Sequence, residues 1–201
     1  MKLPGWMLAL ALAILSLACT RSPPERLDAN AVILAFGDSV TFGTGAAPSE
    51  SYPAVLERNI GRKVVNGGVP GENTAAGLGR LPSMLEESHP KMVILCHGTN
   101  DLITKADEAR TAENIREMIR LMRGKGIPVV LVAMVKPGPS PAVPPFYGEI
   151  ATEFDLPFEG VIVRSVMVDS NLTSDSLHPN ARGYAQIAAA VQKVLKNAGA
   201  I

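Results

Sequence analysis

The chain has 201 residues, a length typical of one domain with a sizeable hydrophobic core. Its 19 lysines and arginines balance its 19 aspartates and glutamates, so no basic surface predicts a nucleic-acid partner and no acidic tail predicts a solvating segment. The hydrophobic fraction is 47% but the aromatic fraction is only 4%, which predicts a core of aliphatic side chains.

Residues 1–19 differ from the rest of the chain. After Lys2 comes "WMLALALAILSLA", an apolar stretch that is short for a membrane span and ends in small residues. It predicts an export signal rather than a buried helix, because no polar face interrupts it. The closing "LSLAC" resembles the lipobox of bacterial lipoproteins, in which the cysteine, here Cys19, is lipidated. Ser16 departs from that pattern, so simple cleavage near Ala18 is the alternative, which would release a freely secreted protein.

The polar, proline-containing residues 20–30 predict a tether, and one folded domain is predicted over 31–201. In that domain short aliphatic runs alternate with helical periodicity, which predicts βαβ units and a parallel sheet with helices on both faces. Strands are predicted over 31–36, 63–66, 91–96 and 127–135, with a short fifth near 160–163. Helices are predicted over 52–60, 74–88, 111–123 with Thr111 as its cap, 148–154 and 181–197. The proline-rich residues 136–147 predict a surface loop, and Cys96 is expected to be a small buried side chain.

Four short segments carry side chains or glycines suited to chemistry. They are "GDSVT" (37–41), "NGGVPGEN" (66–73), "HGTND" (97–101) and "DSLHP" (175–179). Each of the first three directly follows a predicted strand, and ligands in open parallel sheets bind outside the carboxyl ends of the strands. The pattern therefore predicts one site at this edge.

Taken alone, each segment has an ordinary structural interpretation. Ser39 could be a nucleophile, part of a phosphate-binding loop or a helix cap, although the glycine spacing fits neither a P-loop nor a dinucleotide fingerprint. Asp175 could cap a turn and His178 could be a surface residue, and Asn100 could belong to a turn or cap a helix. Together they supply a nucleophile, an oriented base and oxyanion donors, the parts needed for acyl transfer. With three histidines in the chain and no zinc motif, no metal site is predicted.

The four segments, in this order, resemble the SGNH (GDSL-type) hydrolase superfamily, and in particular its bacterial arylesterase, thioesterase and lysophospholipase branch. The resemblance spans about residues 31–195. It implies a three-layer αβα sandwich around a five-stranded parallel sheet of flavodoxin-like order. It also implies that Ser39 is the nucleophile, His178 the general base and Asp175 its orienting acid. The backbone N–H groups of Ser39 and Gly71 and the side chain of Asn100 would form the oxyanion hole, with Asp38 bracing the turn.

The expected activity is that of an exported serine esterase, periplasmic or anchored through a lipid on Cys19, that needs no cofactor and cleaves acyl esters or thioesters. A carbohydrate O-acetyl esterase is the alternative within the superfamily. A lipoprotein that binds acyl or carboxylate ligands without catalysis is the alternative outside it. The sequence departs from the branch in "HGTND", where "GGND" is frequent, so the resemblance assigns no role to His97, which could line the pocket. It also has a short proline-rich stretch over 136–160, so the sequence does not predict the shape of the acyl pocket.

Overall fold

The computed structural model of the protein describes residues 26–138 and 140–201. The predicted export signal, Cys19 and the first part of the predicted tether lie outside the described residues. The last part of that tether packs on the domain: Leu27 is buried, and its N–H donates to the carbonyl of Ala200 at 2.9 Å.

Five parallel strands form one sheet, in the order β2-β1-β3-β4-β5. They are β1 (Ile33–Gly37), β2 (Val64–Gly68), β3 (Met92–Cys96), β4 (Val129–Val132) and β5 (Phe158–Glu159). The central strands β1 and β3 are buried along their whole length because helices cover both faces of the sheet. The predicted flavodoxin-like α/β fold is therefore confirmed, and Cys96 is buried at the end of β3 as expected.

The helices divide between the two faces of the sheet. They are α1 (Ser39–Phe42), α2 (Tyr52–Ile60), α3 (Thr74–Ser88), α4 (Thr99–Ile103), α5 (Glu108–Gly124), α6 (Phe146–Glu153), α7 (Ile162–Met167) and α8 (Ala181–Asn197). A 3₁₀ turn covers Pro48–Glu50. Helix α2 packs against α8, and α3 packs against α5. The predicted bounds of α2, α3 and α8 are confirmed, and α6 begins two residues before its predicted start.

The predicted cap of the helix over 111–123 is wrong. Helix α5 begins one turn earlier, because the side chain of Asp107 accepts a hydrogen bond from the N–H of Ala109 at 2.9 Å. Thr111 lies inside the helix, where its hydroxyl donates to the carbonyl of Asp107 at 3.1 Å.

The predicted fifth strand exists, but its predicted position near 160–163 is wrong. The fifth strand ends at Glu159, and its carboxylate accepts from the N–H groups of Val161 at 2.9 Å and Ile162 at 2.8 Å. N–H groups at the start of a helix have no acceptor within the helix, so Glu159 caps α7. The β-branched residues that follow are therefore helical.

Candidate active site

The turn from β1 into α1 places Ser39 at the carboxyl edge of the sheet. A Cβ atom on Gly37 would lie 1.9 Å from the carbonyl oxygen of Cys96, so only glycine lets β1 end this close to β3. Asp38 is the cap of α1, and Ser39 is the first residue of the helix. The helix-cap interpretation of this segment therefore applies to Asp38, and the hydroxyl of Ser39 is left for other partners.

Asp38 joins this turn to the one that follows β3. Its side chain is fully buried and accepts from the N–H groups of Val40 at 3.1 Å and Thr99 at 3.3 Å. Burial raises the pKa of this carboxyl above its ordinary value, although nearby His97 and the two N–H donors act in the opposite direction. Asp38 is thus placed to hold two segments of the site together.

Three of the predicted site residues are in direct contact. His178 Nε2 lies 3.2 Å from the Oγ of Ser39, and His178 Nδ1 lies 3.0 and 2.9 Å from the two carboxylate oxygens of Asp175. This linear arrangement of hydroxyl, imidazole and carboxylate is the one required for proton transfer from a serine to a histidine.

The loop before α8 fixes the imidazole. Asp175 accepts from the backbone N–H groups of Leu177 at 2.7 Å and His178 at 2.8 Å, and the N–H of Ser174 donates to the carbonyl of His178 at 3.0 Å. Desolvation acts to raise the pKa of Asp175, but the hydrogen bonds from His178 and the two backbone N–H groups outweigh it and lower that pKa. The carboxylate is therefore ionised at neutral pH and can stabilise an imidazolium.

The predicted oxyanion donors come from three neighbouring segments. Gly71 has a φ of 78°, a left-handed conformation that favours glycine, and it is exposed in the loop between β2 and α3. The amide Nδ2 of Asn100 donates to the carbonyl of Glu72 at 2.9 Å, which links α4 to the residue after Gly71. An amide carries a second hydrogen, which this bond does not use.

A second link between the same segments was missed by sequence reasoning. Asp101 is buried and accepts from the N–H of Thr74 at 2.8 Å and from its hydroxyl at 2.7 Å. The hydroxyl also accepts from Asn114 at 2.9 Å. The position of Asp101 beside Asn100 was the available indication, but its partner could not be read from the sequence.

An apolar cleft of about 300 Å³, counted with its open mouth, borders the same site. Val40 lies one residue after Ser39, and Leu177 lies one residue before His178. The wall also contains Thr99 and Met134. The proline-rich loop contributes Pro137 and Pro141, and α7 contributes Val163 and Met167. The loop that was expected to shape an acyl pocket therefore lines this cleft.

Two features are absent from residues 26–138 and 140–201. In this part of the chain, no group of three or more His, Cys, Asp or Glu side chains is arranged to hold a metal ion. Within the same residues, no helix is both long enough and apolar enough to cross a membrane.

Comparisons with known proteins agree with this geometry. Residues 35–186 match the GDSL-like Lipase/Acylhydrolase family. Esterase TesA of Pseudomonas aeruginosa is 28% identical over 158 residues, which cover 73% of this chain and 79% of that protein. The thioesterase 1/protease 1/lysophospholipase L1 of Escherichia coli K12 is 26% identical over 156 residues, covering 74% of this chain and 75% of that protein.

Solved structures of two related proteins superpose on this chain. The crystal structure of TesA superposes with a TM-score of 0.75 and 25% identity, and the match covers 83% of this chain and 99% of that one. The crystal structure of AlinE4, an SGNH-hydrolase family esterase, superposes with a TM-score of 0.65 and 29% identity, covering 86% and 98% of the two chains.

Proposed function

Because this chain belongs to the GDSL-like lipase/acylhydrolase family and is a hydrolase that acts on ester bonds, we propose that it works through an acyl-enzyme on Ser39. The observation that carries this proposal is the 3.2 Å contact between Ser39 Oγ and His178 Nε2, with Asp175 on the far side of the ring.

In the proposed reaction, neutral His178 takes the proton of Ser39 as its oxygen attacks the carbonyl carbon of the ester or thioester. Asp175 keeps Nδ1–H directed at its carboxylate and stabilises the imidazolium that forms. His178 then protonates the leaving alcohol or thiol, and the acyl group stays on Ser39. In the second half, His178 activates a water molecule, which releases the acid and restores the serine.

The negative oxygen of each tetrahedral intermediate would be stabilised by the N–H groups of Ser39 and Gly71 and by the free amide hydrogen of Asn100. Ser39 is the first residue of α1, so its N–H is among those that have no acceptor within the helix. The acyl chain would lie in the apolar cleft that begins at Val40 and Leu177. Aryl esters, thioesters and lysophospholipids are the substrate classes that the related enzymes suggest.

Substitution of the nucleophile tests this proposal. Ser39→Ala is expected to lower kcat on p-nitrophenyl butyrate by at least about 10⁴-fold, and Asn100→Ala by about 10²–10³-fold. A fluorophosphonate probe is expected to label the native protein and not Ser39→Ala. Ser83→Ala, which removes an exposed hydroxyl on α3, is the control and should be labelled normally. Labelling of Ser39→Ala, or its near-full activity, would contradict the mechanism.

We also propose that the protein is exported and that Cys19 carries a lipid, as the pattern of residues 1–19 indicates. Cells fed radiolabelled palmitate are expected to label the native protein but not a Cys19→Ala variant. A labelled Cys19→Ala variant would contradict lipidation at this cysteine, and an unlabelled native protein would indicate simple cleavage and secretion.

A further inference from the structure

A second buried cluster of charged and polar side chains lies beside the oxyanion segments. Arg80 on α3 forms a two-point ion pair with Glu72: its Nε lies 2.8 Å from Oε1, and its Nη2 lies 2.7 Å from Oε2. His97 Nε2 lies 3.2 Å from Oε2 of the same carboxylate. The side chain of His97 is fully buried, and that of Glu72 is 7% exposed. Sequence reasoning gave none of these three residues a role.

The cluster is held from several sides. The guanidinium of Arg80 also donates to the carbonyl of Gly67 in β2 at 3.0 Å, and it lies 4.4 Å over the ring of Phe36 in β1. Tyr147 donates its hydroxyl proton to the main-chain carbonyl of His97 at 2.8 Å. The carboxylate of Glu72 is thus fixed to the sheet rather than to a mobile surface side chain.

Charge settles the direction of the hydrogen bond to His97. Burial acts to raise the pKa of Glu72, but the hydrogen bonds from Arg80 and His97 outweigh it and lower that pKa to about 2. An ionised carboxylate only accepts hydrogen bonds, so the Nε2 atom of His97 carries the proton and donates it. His97 and Arg80 therefore both pull on the same carboxylate.

Glu72 connects this cluster to two of the proposed oxyanion donors. It follows Gly71 directly in the chain, and its carbonyl accepts the amide of Asn100 at 2.9 Å. A shift of the Glu72 backbone would therefore displace Gly71, which is bonded to it and carries one donor, and would release the Asn100 amide at the same time. Oxyanion stabilisation depends on donors that are fixed before the reaction begins.

We propose that Glu72, anchored by Arg80 and His97, is a positioning residue that fixes the Gly71 N–H and the Asn100 amide in the oxyanion hole. This inference rests on the proposed function of those two donors. It also explains the departure from the family pattern at His97, because the imidazole makes a contact that a smaller residue at the end of β3 could not make.

Two glycines of α3 offer a matched test. A Cβ atom on Gly77 would lie 2.4 Å from His97 Nε2 and 3.3 Å from Glu72 Oε2, whereas a Cβ atom on Gly79 meets no atom within 4 Å. Both changes to alanine favour the helix, so the intrinsic effect on α3 is the same. Gly77→Ala is expected to lower kcat about tenfold with KM changed less than about twofold, because a displaced donor keeps part of its effect. Gly79→Ala is expected to keep the native kcat.

A second pair of variants keeps the test valid if Gly77→Ala fails to fold. His97→Gln retains an amide that can donate to Glu72 and is expected to keep kcat within about threefold of native. His97→Phe fills the space without a donor and is expected to lose about tenfold. Equal kcat values for these two variants, with native melting temperatures, would overturn the proposal.

A double-mutant cycle distinguishes positioning from general damage. In an Asn100→Ala background one of the two donors is gone, so Gly77→Ala is expected to cost about threefold or less instead of tenfold. If the two losses in kcat multiply fully in the double variant, Gly77→Ala acts on something other than the oxyanion donors. The proposed role of Asn100 in the oxyanion hole, on which this inference rests, fails separately if Asn100→Ala itself keeps native activity. The present inference fails alone if Asn100→Ala loses activity and Gly77→Ala matches Gly79→Ala.

Discussion

The carboxylate of Glu72 should make a measurable part of the stability depend on pH. Its folded-state pKa is lowered from an ordinary value of 4.5 to about 2, so the unfolded chain takes up this proton before the folded chain does. The contribution is therefore complete above about pH 4.5 and is lost as the pH falls towards 2. Integrated from pH 6 to pH 3, the difference amounts to about 2 kcal/mol in the free energy of unfolding.

The perturbation is Glu72→Gln, which keeps the shape of the side chain and removes its titration. Urea unfolding of both proteins at pH 6 and pH 3 gives four free energies. The native protein should be more stable than the variant at pH 6, and about 2 kcal/mol of that advantage should be gone at pH 3. Glu113→Gln is the control, since that carboxylate also pairs with an arginine but is 51% exposed, and solvent screening should make its change much smaller.

An advantage of the native protein that is the same at both pH values would refute this reasoning. It would mean that Arg80 and His97 do not hold the Glu72 carboxylate in its ionised form. The carbon chemical shift of the Glu72 carboxyl group gives an independent check, because it should titrate near pH 2 rather than near 4.5.

Four further substitutions have expected outcomes. Asp107→Ala removes the cap of α5 and should lower the free energy of unfolding in urea by about 1 kcal/mol. Thr111→Ala changes the residue predicted from the sequence to be the cap, and hydrogen exchange should show that the start of the helix stays intact. Asp175→Asn should lower kcat on p-nitrophenyl butyrate roughly 10³-fold with little change in KM, because the imidazolium loses its counter-charge; a loss below tenfold would contradict that role. Thr99→Gly removes a side chain from the wall of the cleft, so the preferred p-nitrophenyl ester should shift to a longer acyl chain, and an unchanged preference would place the acyl group elsewhere.

Sequence patterns predicted the elements that are determined by residues close together in the chain. The stripe of α8 and the buried runs of β1 and β3 each carry their own periodicity, and "DSLHP" places an acid and an imidazole within one loop. The fifth strand was predicted a few residues too late because Val161 and Ile162 favour a strand by composition. The side chain of Glu159 supplies helix-capping bonds that composition does not show.

The cluster around Glu72 could not be predicted for a different reason. Glu72 and Arg80 are eight residues apart, which is not a contact spacing of a helix that begins at Thr74. His97 joins them only because the order of β2, β1 and β3 in the sheet places the end of β3 beside α3. Contacts of this kind arise from the order of strands in the sheet, and a single sequence carries no periodic trace of them.

The bond between Leu27 and Ala200 brings the two ends of the folded domain together. Both lie where the strands begin, because the carbonyl of Leu27 also accepts from Arg62, which stands just before β2. The proposed active site is at the opposite end of the strands. A segment attached ahead of Leu27 therefore meets the domain at the end of the strands opposite the cleft. The same closeness means that the old ends could be joined by a short peptide and new ones opened in a surface turn, giving a circular permutant with an undisturbed site.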